Sequence, residues 1–317
     1  MRTQIPRTRK AAGHFINKKR MLQYAWVILR GVLLLGLVFM ILYPLLVRFS
    51  ASIKGGADQS DPSVMFIPKN PTFGNYKTVI RSIDYGGTLL YTALFTSLTS
   101  LIQMAMCLVT GYGLARFRFR GNRLVFGMSI ATLVIPPQVL LLPLYFRFKY
   151  FNIFQIFKFS GDLWGFDMTE TILPFLLLSV TAMAFHNGLY IFLFTQYFRN
   201  VPGVLEEAAY IDGCSVFKTF LKIMVPGAVP MIVSVFLFAF VWQWNDSYYV
   251  SMLAPSLPVL SNKLYGLSYS VLGSSSNIYT ALLETPKFFL LITPLILLYL
   301  FMQRFFVASI ETSGIVG

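Results

Sequence analysis

Six long apolar stretches without Asp, Glu, Lys or Arg stand out in this chain. They extend from Gly31 to Val47, Tyr85 to Ala115, Leu124 to Phe146, Thr171 to Phe198, Ile223 to Asn245 and Phe288 to Gln303. A helix needs about 20 apolar residues to cross about 30 Å of hydrocarbon, and each stretch reaches that length alone or by extension, the first back past Arg30 to Trp26 and the last towards Ile278. The pattern predicts an all-α, polytopic membrane protein with six transmembrane helices. A further uncharged run, Leu264 to Leu283, contains Gly273-Ser274-Ser275-Ser276-Asn277 and reads as an extramembrane or re-entrant connection. Only 12% of residues are charged, half the roughly 25% of a soluble domain, so the chain has too little polar surface for a water-soluble globule. Aromatics at 16% exclude disorder, and with Cys107 and Cys214 as the only cysteines there is no disulfide scaffold.

The formal charge of +14 has two readings, a nucleic-acid binder or a membrane topology. Six spans place both termini on one side, and that side holds sixteen of the 26 basic residues against four acidic ones, a net +12. The other side holds ten against eight, a net +2. Basic loops stay in the cytoplasm, so both termini are predicted there, in a bacterial or archaeal cell membrane. The basic N-terminus is expected to anchor to anionic lipid, with no nucleic-acid partner. It does not read as a cleavable signal, because the first span exceeds a signal h-region and no small-residue cleavage site follows it.

One cytoplasmic loop has internal structure. Between Arg199 and Pro226, the apolar residues Val204, Leu205, Ala208 and Ile211 repeat at helical spacing, with Glu206, Glu207 and Tyr210 on other faces. Pro202 stands near the start of that short helix, where a missing N–H costs little, and Asp212-Gly213 ends it. Ser215 can cap a second helix with the stripe Val216, Phe217, Phe220, Ile223 and Met224, which runs into the membrane at Pro226.

Glu207-Ala208-Ala209, Gly213, Ile223 and Pro226 keep the register of the EAA signature of ABC importer membrane subunits, which this loop resembles. Four further segments resemble the carbohydrate, or maltose-type, branch, and specifically its shorter membrane subunit: Gly111-Tyr112-Gly113-Leu114-Ala115-Arg116 with Phe119-Arg120-Gly121, Ile135-Pro136-Pro137-Gln138 with Leu142-Pro143-Leu144-Tyr145, Trp244-Asn245-Asp246, and Gln303-Arg304-Phe305-Phe306-Val307. The resemblance implies a type I ABC importer transmembrane domain. It implies that the first loop helix is a coupling helix docking on a separate ATPase, through Glu206, Glu207, Ala208, Ala209, Asp212, Gly213, Phe217 and Pro226. Small Ala208 and Ala209 would permit close approach, and Glu206 and Glu207 would pair with basic groups of that partner. The implied assembly has a second permease subunit, as a heterodimer, two ATP-binding subunits and an extracytoplasmic solute-binding protein. The domain organisation expected is a basic cytoplasmic segment 1–25, a permease domain 26–308 carrying the coupling loop 199–226, and a cytoplasmic tail 309–317.

Polar groups within spans mark a bundle interior or a water path, because hydrocarbon leaves them unsatisfied. Gln138 follows Pro136-Pro137, a pair expected to break the third span and free carbonyls. Asn187 lies beside His186 and Gly188 in the fourth. Trp244, Asn245 and Asp246 close the fifth, among Trp242, Gln243, Tyr248 and Tyr249. Amides, a carboxylate and aromatic faces suit a sugar, so Gln138, Asn187, Trp244, Asn245 and Asp246 are the candidate solute path. Gln138 and Asn187 read equally as interhelical hydrogen-bond partners, His186 reads as a packing residue, and Glu284 with Lys287 as a snorkelling pair. The aromatics of segment 147–170 read as an interfacial helix, the alternative being a partner-specific contact.

No phosphate-binding Gly-x-x-x-x-Gly-Lys-Ser/Thr loop occurs, so the chain binds no cofactor of its own, and ATP with Mg is used by the partner. Two histidines without a His-Glu-x-x-His motif provide no constellation for a membrane enzyme, and no repeat or buried coupling carboxylate suggests a secondary transporter. The reading is a sugar or oligosaccharide permease; the alternative cargo is a glycerol phosphodiester or other non-sugar solute. The topology predicts that an impermeant thiol reagent labels Cys214 in inverted vesicles and leaves it unlabelled in intact cells.

Overall fold

A computed structural model describes residues 12–151, 166–272 and 277–314. Arg2, Arg7, Arg9 and Lys10 of the N-terminal segment, Phe154, Phe157, Phe159 and Trp164 of segment 147–170, Gly273 to Ser276, and Val316 and Gly317 lie outside these. Two compact units are distinguished, one ending at Asn75 and one starting at Tyr76.

In the first unit, α1 (Ala12–Ser52) is a single helix exposed along its apolar length, followed by the short α2 (Gly56–Ser60). The segment after α1 closes on itself around two buried charges. Lys54 Nζ donates to the carbonyls of Val64 at 2.7 Å and Met65 at 3.1 Å, and the Asp58 carboxylate accepts from the Asn70 amide N–H at 2.8 Å. Burying these charges is tolerated because each meets hydrogen-bonding groups. α3 (Gly74–Ser82) leads into the second unit.

The second unit is organised around α4 (Tyr85–Arg116), the one charge-free stretch of this unit's first four that forms an unbroken spanning helix. Next come α5 (Asn122–Ala131) and α6 (Pro137–Lys149), then α7 (Leu173–Val180) and α8 (Asn187–Asn200), then α9 (Val204–Ile211) and α10 (Val216–Thr219). A π-helical turn (Phe220–Met224) and α11 (Val225–Gly227) lead to α12 (Val229–Asn245), which is followed by α13 (Tyr248–Leu253), α14 (Leu260–Leu272) and α15 (Asn277–Gly314). α8 and α12 make the largest contacts with α4. Gly111 makes the first possible: a Cβ there would stand 2.5 Å from Phe194 Cβ and 3.1 Å from the Thr195 nitrogen. Tyr112, Tyr190, Phe194 and Phe198 fill the resulting core.

Among the described residues, three helices are each long and apolar enough to span a membrane, α1, α4 and the Leu282–Gln303 part of α15, and a fourth span is formed if the pair Val216–Gly227 and Val229–Asn245, bent by 78°, counts as one. The third and fourth charge-free stretches are not continuous helices. The third breaks over 132–136, where Pro136 and Pro137 remove donors from the helical ladder. The fourth breaks over 181–186, with Ala182 at φ +55° and His186 at φ +67°. The Leu264–Leu283 run is largely helical, in α14 and the start of α15, rather than a loop.

Gly111→Ala should overpack the α4–α8 contact, a class of change that costs about 1–3 kcal/mol, and lower the melting temperature of the solubilised protein. Gly86→Ala on the same helix, where a Cβ meets nothing within 4 Å, should leave it unchanged or slightly raised.

Candidate functional site

The loop between α8 and α12 is two helices joined by a tight turn. α9 closes with the Asp212 N–H donating to the Ala208 carbonyl at 3.0 Å and the Cys214 N–H to that of Ala209 at 2.9 Å. Gly213 sits at φ +79°, the left-handed conformation that a residue without Cβ adopts freely. Ser215 then caps α10, its hydroxyl accepting from the Lys218 N–H at 3.4 Å. Beyond the π-helical turn, Pro226 and Pro230 flank the change of direction into α12; each lacks the N–H that would carry the ladder through it.

The apolar stripe of α9 faces outwards. Ile211 is 86% exposed and Val204 69%, with Leu205 and Ala208 also exposed, while Glu206 is only 8% exposed. Helical spacing tells which residues share a face and not which way the face points, and here a polar clamp fixes the orientation. Glu206 Oε1 accepts from the Tyr112 hydroxyl at 2.8 Å, and Oε2 pairs with Arg116 Nε at 3.1 Å. Arg116 Nη2 also donates to the Val201 carbonyl at 2.7 Å. Phe220, from the second half of the loop, lies 4.6 Å from the Tyr112 ring. The expectation that Glu206 faces a partner's basic groups is therefore corrected: it is committed to its own chain. Ala209 is likewise buried, so Ala208 is the alanine left for close approach. Glu207, Asp212, Phe217 and Pro226 are exposed.

A second feature lies where the broken helices meet α4 and α12, a cavity of about 460 Å³. Gln138, Asn245 and Asp246 line it, along with Gln103, Ser179, Phe185, His186, Tyr190, Trp242, Gln243, Tyr248 and Tyr249. No Lys or Arg is among the described lining residues, and Asp246 is the lone carboxylate. Two stacked pairs stand at the wall, His186 on Trp242 with centroids 4.0 Å apart and Phe185 on Tyr249 at 3.5 Å. Asp246 Oδ1 accepts from the Tyr249 N–H at 2.9 Å, starting α13.

The other two candidates lie outside this cavity. Trp244 is buried with its indole N–H donating to the Leu291 carbonyl at 3.0 Å, a tie between α12 and α15. Asn187 is buried, and its side-chain oxygen accepts from the Gln103 amide. The same amide donates to the Phe185 carbonyl at 2.9 Å, satisfying backbone that the break in the fourth stretch frees. Gln103, Ser179 and Tyr190 were not singled out from the sequence. For Gln103 there was a signal: it continues a helical-period row of hydroxyls along α4. Glu284 and Lys287 form an ion pair at 2.7 Å with Lys287 buried.

Comparison with known proteins agrees with this architecture. The model of the family described as the binding-protein-dependent transport system inner membrane component matches residues 107–312. The chain is similar to the arabinooligosaccharides transport system permease protein of Bacillus subtilis, 28% identical with 79% of this chain and 81% of that one covered. It is similar to the trehalose transport system permease protein of Mycobacterium tuberculosis, 27% identical with 87% and 93% covered. It also resembles the melibiose/raffinose/stachyose import permease protein of Bacillus subtilis, 24% identical with 86% and 91% covered. Among solved structures, a chain of a bacterial ABC transporter that imports the acidic polysaccharide alginate has the same fold, at a TM-score of 0.65 and 22% identity over 89% of this chain and 97% of that one. With well over half of its length matched and the fold in common, the chain belongs to the binding-protein-dependent transport system inner membrane component family.

Proposed function

We propose that this chain is the permease subunit of an ATP-driven importer of sugars or oligosaccharides, with the cavity as part of the solute path and the α9–α10 loop as the point where a separate ATPase acts. The observation that carries the reading is the two-faced loop: an inner face clamped through Glu206 to α4, and an outer face of Glu207, Ala208, Ile211 and Phe217 left bare at a turn that only Gly213 makes without strain. Exposed apolar side chains beside exposed carboxylates suit a partner groove with basic rims. ATP and Mg belong to that partner, present as two copies. A second permease subunit and an extracytoplasmic binding protein complete the assembly, and both termini lie in the cytoplasm. The printed functions of the relatives support a saccharide cargo. The cavity supports it too, through amides for hydroxyls, ring faces for C–H groups, and no cation for a phosphodiester.

α4 connects the two sites. Gln103 at the cavity and Tyr112 at the clamp are nine residues apart on one helix, about 14 Å at 1.5 Å per residue. A push on α9 thereby reaches the cavity wall through one rigid element, which is the mechanical requirement of alternating access.

Two outcomes test this. Gly213→Val puts a β-branched residue at positive φ, costing about 1–2 kcal/mol locally; uptake should be lost while membrane insertion is retained, and full uptake would remove the coupling role of the turn. ATPase stimulation of the reconstituted complex should be seen with binding proteins loaded with arabinotriose, trehalose or raffinose and not with glycerophosphocholine; the reverse ranking would favour the non-sugar cargo.

A further inference from the structure

Three of the charge-free stretches meet an arginine at the end nearer the α9–α10 loop: the second runs up to Arg116, the third starts after Arg123, and the fourth ends before Arg199. A cation at the edge of an apolar stretch sits at the depth of the lipid headgroups. Arg116 is committed to Glu206. Arg123 and Arg199 are exposed, as are Arg118 and Arg120 in the turn between α4 and α5, and none of these four joins an ion pair among the described residues. From Tyr85 to Gly161 the sequence has no Asp or Glu to neutralise them locally.

The two arginines at the α5–α8 seam are positioned by packing. Phe126 of α5 stacks on Phe192 of α8 with centroids 6.2 Å apart, and the Arg199 guanidinium stands 4.6 Å from the centroid of the Phe126 ring. Arg123 lies three residues before Phe126 and so shares its face of α5. Two like charges therefore sit at one end of one seam with no carboxylate paired to either. The turn before α5 is tied down as well: Asn122 Nδ2 donates to the carbonyls of Leu114 at 3.1 Å and Phe117 at 2.7 Å, and Gly121 turns at φ +93°. Beside the arginines the surface is apolar, for Phe117, Phe119, Leu124 and Met128 are exposed and no residue of α5 is buried.

We infer that the arginine end of the α5–α8 seam is a binding site for an anionic phospholipid, its phosphate between Arg123 and Arg199 and its acyl chains along Leu124 and Met128. Basic pockets between helices at headgroup depth select anionic headgroups, and a guanidinium grips phosphate through paired N–H groups. A protein partner would have to bring carboxylates to that depth, whereas the membrane supplies phosphates there together with chains for the apolar flank. The site goes beyond the permease reading by giving the chain a lipid ligand. It also has a mechanical consequence. At its other end the same seam is the contact of Gly188 with Ser129 and Thr132, beside the cavity, while Arg199 leads into α9. A phosphate shared by α5 and α8 fastens the helix that carries the loop to the helix that braces the break.

The test uses the complete importer in nanodiscs of phosphatidylcholine with increasing phosphatidylglycerol, a fraction of which carries a photoreactive diazirine on its acyl chain. Labelling of peptides containing Leu124 to Met128 should saturate with phosphatidylglycerol and exceed labelling by the matching phosphatidylcholine probe several-fold. Arg123→Gln with Arg199→Gln should lower it to the phosphatidylcholine level, and Arg123→Lys with Arg199→Lys, which keeps the charge, should restore most of it. Arg48→Gln with Arg147→Gln, an equal loss of charge at two exposed arginines elsewhere, should change nothing. Binding-protein-stimulated ATPase should rise several-fold over the same lipid range in the wild type and stay flat in the Arg123 and Arg199 glutamine variant. Equal labelling by the two lipids, or unchanged labelling in that variant, would overturn the site; unchanged labelling with loss of the ATPase subunit on purification would make the patch a protein interface instead. Full stimulation by free glycerol phosphate in phosphatidylcholine discs would also overturn it, by assigning the arginines to a soluble anion. Labelling is read without transport, so a complex that moves no saccharide would overturn the sugar reading and leave the lipid site standing.

Discussion

The Glu206 carboxylate, held between the Tyr112 hydroxyl and the Arg116 guanidinium, sets the geometry on which the rest of the functional architecture depends. An ionised group with so little exposure is tolerable only with a partner of opposite charge and further hydrogen bonds, and removing one member of a buried pair typically costs about 3–5 kcal/mol. That constraint decides which face of a one-and-a-half-layered helical loop turns inward. With Glu206 drawn onto α4, the stripe of Val204, Leu205, Ala208 and Ile211 has to point away from the protein. Two segments that look unrelated along the chain, Gly111 to Arg116 and Glu206 to Gly213, become one mechanical joint: Gly111 lets α8 approach α4, and Tyr112 and Arg116 grip the helix that follows α8.

The same long helix bounds the cavity, and there the governing constraint is the satisfaction of backbone at membrane depth. Breaking a helix in hydrocarbon frees N–H and C=O groups that find no water, so breaks persist only where protein groups meet them. Gln103 does this for the Phe185 carbonyl, and the unwound segment then presents Phe185 and His186 to the space between α4 and α12. Gly188 allows the start of α8 to press against the Ser129 and Thr132 end of α5, so the two broken stretches brace each other. The cavity is therefore a product of the breaks and not a gap left between regular helices.

How much of this was legible in the sequence follows from the physics of each feature. Charge-free runs report burial in lipid, so α4 and the last span were read within a few residues; the break at Pro136 and Pro137 was read too, because proline acts locally. The break at 181–186 was not, since Thr181 to His186 contains neither Pro nor Gly, and tertiary contacts from Gln103 and α5 impose it. The turn at Gly213 and the cap at Ser215 were legible because both are local hydrogen-bonding solutions. The inward turn of Glu206 was not, because its partners lie about ninety residues earlier in the chain. Gln138, Asn245 and Asp246 reach the cavity, whereas Trp244, only one residue from Asn245, points to α15: the fifth span turns about 100° per residue, and the motif alone does not say which member faces the cavity.

The central claim is that Glu206 and Arg116 act as one unit joining the loop to α4. A double-mutant cycle of Glu206→Gln and Arg116→Gln, read in both thermal stability and binding-protein-stimulated ATPase of the assembled importer, measures it. The account predicts strong non-additivity, with an interaction energy within the 0.5–3 kcal/mol range of directly coupled neighbours and the double variant no worse than either single one. Additive losses would contradict it.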